Sequence, residues 1–319
     1  MKGIILMLVV ILSAQVTFAQ QTTPGNKYIF DGLYITPSYS GYKQDLFVEA
    51  FYKSQWTGFT GAPTSFSLAA DGLIGDSKVG LGAIISSNTI GAQSNLSAYG
   101  NYAYHIRMDG DEDSDLSFGL GFGFIQSGID GTKLNATDNS DNTIPNDFQS
   151  VLVPDSRVGV MYSNSNFYVG ISTDNMIAHY FKKFNSIYEI IPKPSYYLTA
   201  GALLTLNDEM KLKPSFLFSD NQNGPKALDL NMFVLFGDRF WLGGTYRSNI
   251  AFNKSNINIS DQNTKGIAAM VQMVLNDNIH LGYSFDYSMS PLGNSNYGTH
   301  EVSVGFLFKS KKGYRDHYF

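Results

Sequence analysis

Apolar and polar residues alternate along much of this chain with a period of two, as expected where successive side chains of an extended backbone point to opposite faces. From 115 to 127, Leu116, Phe118, Leu120, Phe122 and Phe124 alternate with Ser117, Gly119, Gly121 and Gly123. From 278 to 288, Ile279, Leu281, Tyr283, Phe285 and Tyr287 alternate with His280, Gly282, Ser284 and Asp286. From 298 to 308, Val302, Val304, Phe306 and Phe308 alternate with Glu301, Ser303, Gly305 and Leu307. Weaker versions occupy 95–107 and 226–236, where Leu228, Leu230, Met232, Val234 and Phe236 oppose Asp229 and Asn231. A soluble sandwich also alternates, but its solvent face carries Lys, Glu and Thr rather than Gly and Ser. Small or polar residues on one face and bulky apolar ones on the other fit the inverted arrangement of a membrane barrel.

The pattern predicts fourteen strands, at 45–55, 64–74, 77–86, 95–107, 115–127, 156–163, 166–174, 195–205, 210–219, 226–236, 239–248, 264–274, 278–288 and 298–308. An even number of tilted crossing strands is what a closed single-chain outer-membrane barrel requires. The connections after even-numbered strands are short, among them Gly75-Asp76 and Gly237-Asp238, together with the acidic 108–114. Those after odd-numbered strands include 128–155, 175–194, 249–263 and 289–297. The expected fold is therefore all-β, a 14-stranded antiparallel outer-membrane β-barrel with short periplasmic turns and longer extracellular loops. Both termini then fall in the periplasm. An alternating C-terminal strand ending on Phe308 suits barrel insertion, although an eleven-residue tail follows it.

Composition agrees with this reading. Charged residues make up only 15% of the 319-residue chain, while 20 Tyr, 23 Phe, 2 Trp and 31 Gly are present. The formal net charge of −5, with no basic block, argues against nucleic acid as a partner. The absence of cysteine removes disulfides, thiolate metal sites and thiol nucleophiles together.

The first residues read as an address. Lys2, an apolar run from Ile4 to Leu12 and the exit Thr17-Phe18-Ala19 have the layout of a secretory signal peptide cut after Ala19. The run is too short for a membrane anchor, which needs about 20 apolar residues. The chain thus divides into a signal peptide (1–19), a periplasmic N-terminal segment that can serve as a plug (20–44), a transmembrane barrel (45–308) and a periplasmic tail (309–319).

Catalytic chemistry is sparse. The five histidines (His105, His179, His280, His300 and His317) lack metal-ligand spacing. His300-Glu301 has no second histidine four residues after His300, as a zinc protease would need. Gly119–Gly123 resembles a nucleotide loop, but its glycines sit at period two inside a strand, where they make room on the inner wall. Asp138, Ser140 and Asn142 fall short of a calcium loop, and no G-x-S-x-G elbow is present. No cofactor, metal or catalytic residue is expected.

The charges with inward parity form a candidate luminal network: Glu49, Lys53, Arg107, Lys211, Asp229, Arg247, Asp286 and Glu301, with Lys213 and His280 on the same face. Mixed signs suit a cross-braced or plugged lumen better than a strongly ion-selective pore. On the periplasmic side, Asp111, Glu112 and Asp113 of one turn and Lys311, Lys312, Arg315, Tyr318 and Phe319 of the tail are candidate docking residues.

The stretch Lys27-Tyr28-Ile29-Phe30-Asp31-Gly32-Leu33-Tyr34-Ile35-Thr36-Pro37-Ser38-Tyr39-Ser40-Gly41 resembles the N-terminal signature of the PorP/SprF family, approximately N-P-L-Y-I-N-P-A-Y-A-G after an aromatic pair. Tyr52-Lys53-Ser54-Gln55-Trp56-Thr57-Gly58-Phe59-Thr60-Gly61-Ala62-Pro63 is similar to that family's Y-R-x-Q-W-x-G-x-x-G-A-P. Further matches run in order through Tyr102–Arg107, Phe167–Gly170, Lys211–Phe216, Trp241–Arg247, Gly282–Tyr287 and Gly298–Glu301. The departures are Asp31-Gly32 for Asn-Pro, and Thr36 and Ser38 for Asn and Ala.

The resemblance implies an outer-membrane component of the type IX secretion system, associated with gliding motility and export of surface adhesins. It implies as partners outer-membrane lipid, periplasmic machine components, a peptidoglycan-binding periplasmic protein and a secreted adhesin-like client. Within that reading, Tyr28, Phe30, Leu33, Tyr34, Pro37 and Tyr39 are expected to form a partner-binding or plug segment. A competing expectation is an outer-membrane transporter of hydrophobic small molecules, resembling fatty-acid channels, with an apolar path and a lateral opening.

Overall fold

The protein is described by a computed structural model over residues 25–75, 78–108, 114–134, 145–181, 191–222, 226–250, 265–276, 278–289 and 296–309. Its strands are β1 (Leu46–Ser54), β2 (Thr64–Leu73), β3 (Val79–Ile90), β4 (Gln93–Arg107), β5 (Asp115–Asp130), β6 (Phe148–Ser163) and β7 (Phe167–Asp174). They continue as β8 (Ser195–Ala202, resuming past Leu203 as Leu204–Asn207), β9 (Met210–Asn221), β10 (Lys226–Phe236), β11 (Phe240–Ile250), β12 (Gly266–Asn276), β13 (Ile279–Ser288) and β14 (Thr299–Phe308). Each pairs antiparallel with its sequence neighbours, and β14 returns to β1 from Leu46↔Phe308 to Ser54↔His300. The sheet is a closed fourteen-stranded barrel, so no edge is left along its circumference.

Alternation decides which face each residue takes. Along β14, Thr299, Glu301, Ser303, Gly305 and Leu307 are buried while Val302, Val304, Phe306 and Phe308 are exposed. Along β5, Ser117 is buried and Phe118, Leu120, Phe122 and Phe124 are exposed. In a bilayer these outward side chains face hydrocarbon, and each contributes roughly 1.5–3 kcal/mol relative to facing water. No helix among the described residues is long and apolar enough to cross a membrane.

One end of the barrel carries only short connections, at 74–78, 108–114, 164–166, 208–209, 237–239 and 277–278. The turn after β10 places Gly237 and Asp238 at φ of 54° and 53°, the left-handed pair that suits the twist of a tight hairpin. The opposite end carries the longer segments 55–63, 131–147, 175–194, 251–265 and 289–298. Two connections there are short, 91–92 and 222–225.

The strands match the fourteen that alternation predicts, with extensions at the long-loop end. β5 and β6 each reach 16 residues, so the connection expected at 128–155 shrinks to 131–147. Residues 148–155 lack clean alternation and contain Pro154, and it is pairing with β5, from Asp130↔Phe148 onward, that makes them a strand. The stretch between the predicted third and fourth strands is also mostly strand, paired as far as Ile90↔Gln93.

Candidate functional site

The lumen holds residues 25–44. They form three short 3₁₀ turns, Lys27–Ile29, Gly32–Tyr34 and Pro37–Tyr39, and then turn into β1. Asp31 opens the second turn by accepting the Leu33 N–H at 2.9 Å, and Pro37, with its fixed φ, opens the third. Leu33, Ser38 and Ser40 have no accessible surface, and Ile35, Thr36 and Tyr39 are almost as buried.

The segment runs the length of the barrel. Gly25 lies beside Lys53 and Glu301, near the long-loop ends of β1 and β14. Ser40 and Gly41 lie against Gly80, Gly72 and His105, at the short-turn ends of β2, β3 and β4. Gly41 adopts φ +80° there, which permits the reversal into β1.

Buried main-chain groups need partners, and the wall supplies them. His105 Nε2 lies 2.8 Å from the Ser40 carbonyl oxygen, and Arg157 Nη1 donates to the Leu33 oxygen at 3.1 Å. Ser172 Oγ donates to the Ile35 oxygen at 2.5 Å, and the Gly41 N–H donates to Asp71 Oδ2 at 2.7 Å. Lys43 Nζ reaches the Phe30 oxygen at 3.3 Å while sitting 3.4 Å over the Phe47 ring.

Packing is equally close. A Cβ on Gly119 would collide with the backbone of Pro37 and Ser38, and one on Gly80 would collide with the Ser40 carbonyl. These glycines let the segment's backbone lie directly on the wall. Edge-on ring contacts join Tyr34 to Phe51 at 5.4 Å and Phe30 to Phe233 at 6.4 Å.

Two ionic clusters clamp the segment. Near the long-loop end, Arg247 holds Asp229 through Nε and Nη2, each at 2.8 Å, and lies 3.5 Å from Asp286. The same Nη2 donates to Asn26 Oδ1 at 3.4 Å, and Tyr28 OH donates to Asp229 Oδ2 at 3.2 Å. Lys53 pairs with Glu301 at 3.1 Å, and Glu301 also accepts the Asn26 N–H at 3.3 Å. In the second cluster, Arg157 forms a two-point pair with Asp174 at 2.9 and 3.1 Å. Beside it, Asp155 accepts Tyr99 OH at 2.6 Å and the N–H groups of Ile177 and Ala178 at 3.1 and 3.0 Å, tying the loop after β7 to β6.

Tyr28, Leu33, Tyr34, Pro37 and Tyr39 are buried in the lumen and Phe30 is half-buried there. Five of the eight luminal charges, Lys53, Asp229, Arg247, Asp286 and Glu301, converge in the cluster around Asn26. Glu49 is fully buried elsewhere, in electrostatic contact with Asp31, Asp71 and Lys43. Two assignments need correction. Arg107 has inward parity but is exposed at the end of β4, and Lys211 bonds the exposed Asp238 at the short-turn rim. Parity gives the side of a residue and not its depth, and both lie where the strand leaves the lumen. The docking candidates Asp111, Glu112, Asp113, Lys311, Lys312, Arg315, Tyr318 and Phe319 lie outside the described residues, as does the segment 1–19.

Sequence reading missed Asp71, His105, Asp155, Arg157 and Asp174. Asp71, His105 and Arg157 share the parity of their strands' small residues and could have been found that way. Among the described residues no three His, Asp or Glu side chains could hold a metal ion.

A family model described as "Type IX secretion system membrane protein PorP/SprF" matches residues 17–306. Solved outer-membrane proteins are similar in shape. A FadL homologue of Pseudomonas aeruginosa matches with TM-score 0.50 and 8% identity, over 92% of this chain and 96% of that one. Omp33 of Acinetobacter baumannii matches with TM-score 0.48 and 8% identity, over 84% of this chain and 100% of that one. At these identities the likeness concerns the barrel fold alone. No curated protein matches the chain.

Proposed function

Since the chain belongs to the PorP/SprF family of type IX secretion system membrane proteins, we propose that this outer-membrane barrel is a non-catalytic, closed-lumen platform of that machine. In this reading the short-turn end faces the periplasm and engages machine components, including a peptidoglycan-binding protein. The long-loop end helps export or retain a secreted adhesin-like client.

One observation carries the proposal: residues 25–43 run through the lumen and hydrogen-bond to β2, β4, β6, β7, β10, β11, β13 and β14. Contacts distributed around the circumference favour a rigid body over a conduit. A carrier of hydrophobic solutes needs an open apolar path, whereas here the segment itself occupies the lumen, sharing apolar clusters with Phe51, Ile84 and Met161 and with Tyr197, Leu217, Phe233 and Met270 in addition to its buried hydrogen bonds.

The test is cross-linking in cells from tags placed within residues 309–319, followed by identification of the captured proteins. Recovery of secretion components on the periplasmic side supports the platform. A lone barrel that co-purifies with lipid or fatty acid overturns it.

A further inference from the structure

We propose that residues 20–24 lie in the long-loop mouth of the lumen, against Ser65, Asn88 and Asn95, so that the mature amino terminus and the C-terminal tail occupy opposite sides of the membrane.

The partners of the luminal segment descend the wall in chain order. Asn26 bonds Glu301, close to the long-loop end of β14. Leu33 bonds Arg157, midway along β6. Gly41 bonds Asp71, close to the short-turn end of β2. The tail starts from that lower end, where Phe308 pairs with Leu46. Gly25, by contrast, lies beside Lys53 and Glu301 at the upper end, so the chain before it comes from the long-loop side.

Cleavage after Ala19 leaves residues 20–24 ahead of Gly25. Five residues span at most about 18 Å when fully extended, less than the apolar band of about 25 Å. The lumen below already holds Ile29, Leu33, Tyr34, Ile35 and Tyr39, all buried. A return to the short-turn end therefore has neither the length nor the room.

The wall around Gly25 limits where these residues go. Towards β10, β11 and β13, Asp229, Arg247 and Asp286 are engaged with one another and with Asn26 and Tyr28. Towards β5 and β6, Ala178 and Ile191 of the loop after β7 pack with Ile125, Val151 and Val153. Between these runs a paired row that starts at Lys53 and continues through Ser65, Asn88 and Asn95. Directly paired residues share a face, and strands lie about 4.8 Å apart, so the row is about 14 Å long. Five extended residues cover it. Ser65, Asn88 and Asn95 are half-buried and uncharged, and Asn95 Oδ1 is buried without a hydrogen-bond partner among the described residues. Hydroxyls and amides complement Gln20-Gln21-Thr22-Thr23, whose side chains carry the same two groups.

This placement replaces the expectation that both termini share the periplasm. It holds whichever way the barrel sits, and only the naming of the two sides rests on the platform reading.

The test uses the full chain in outer membranes. The chain has no cysteine, so Thr22→Cys can be combined in turn with Asn88→Cys and with Arg107→Cys, at the exposed short-turn end of β4. Mild oxidation is expected to join the first pair in most molecules and the second in none. A second preparation carries one epitope between Ala19 and Gln20 and another after Phe319. Antibody added to intact cells should reach the first epitope, and should reach the second only after the outer membrane is permeabilised. Both epitopes on one side overturns the proposal. So does a disulfide to position 107, no disulfide to position 88, or a purified chain whose mass shows that 1–19 is retained. The reversed epitope pattern, with the tail outside, upholds the opposed termini and overturns instead the barrel orientation of the platform reading.

Discussion

His105 Nε2 lies 2.8 Å from the carbonyl oxygen of Ser40, at the point where the luminal segment is about to become β1. The other ring nitrogen is 2.8 Å from Asp115 on the neighbouring strand, so the ring is oriented by the wall and offered to the plug. Replacing His105 by Ala leaves a buried carbonyl without a partner, which costs about 1–3 kcal/mol. Hydrogen exchange of the amides at 38–42 should accelerate, and His105→Gln should recover part of the protection. Unchanged exchange in His105→Ala would show that the ring does not anchor the segment.

Gly119→Ala tests contact rather than hydrogen bonding. The added methyl would meet the backbone at Pro37 and Ser38, which cannot rotate away. The third turn should be displaced while the strand, which favours Ala over Gly only slightly, stays intact. In planar bilayers the wild-type barrel should be nearly silent and the variant should conduct ions. A silent Gly119→Ala barrel with normal protection at 36–40 would refute close packing there.

Arg247 neutralises a pair of acids in a region with little water. Arg247→Met strands Asp229 and Asp286, and removal of one partner of a buried pair costs about 3–5 kcal/mol. The barrel's unfolding temperature in detergent should fall clearly. Adding Asp229→Leu should restore part of the loss, because fewer unpaired charges then remain. Additive losses in the double variant would mean that the two residues are not coupled.

Deleting residues 27–41 should leave a barrel that still inserts, since the strand ladder closes without them. It should unfold at lower temperature, conduct ions and fail in export. Normal export together with normal stability would rule out a functional role for the segment.

The strands were legible because alternation is a direct imprint of a wall with two unlike faces. It failed at residues 148–155, where Phe148, Gln149 and Ser150 are all exposed and Pro154 obscures the alternation of buried Val153 and Asp155 with exposed Leu152 and Pro154. The partners of Arg247 were legible only as a set of inward charges. Register brings Asp229 opposite Arg247, and that pairing is fixed by the turn between β10 and β11. Asn26 as their shared contact was not legible at all. It is 221 residues from Arg247, and no local pattern encodes such a meeting.

The same separation sets an order of events. Asn26 donates its N–H to Glu301, 275 residues downstream, on the strand that closes the cylinder against β1. Its final contacts therefore wait for nearly the whole chain to be exported, although it is among the first residues to arrive. A segment that threads the cylinder from end to end is most simply installed before the β1–β14 seam shuts. Assembly is then less like stoppering a finished bottle than like rolling a sheet around its own rod, with the rod helping to choose the radius at which the roll closes.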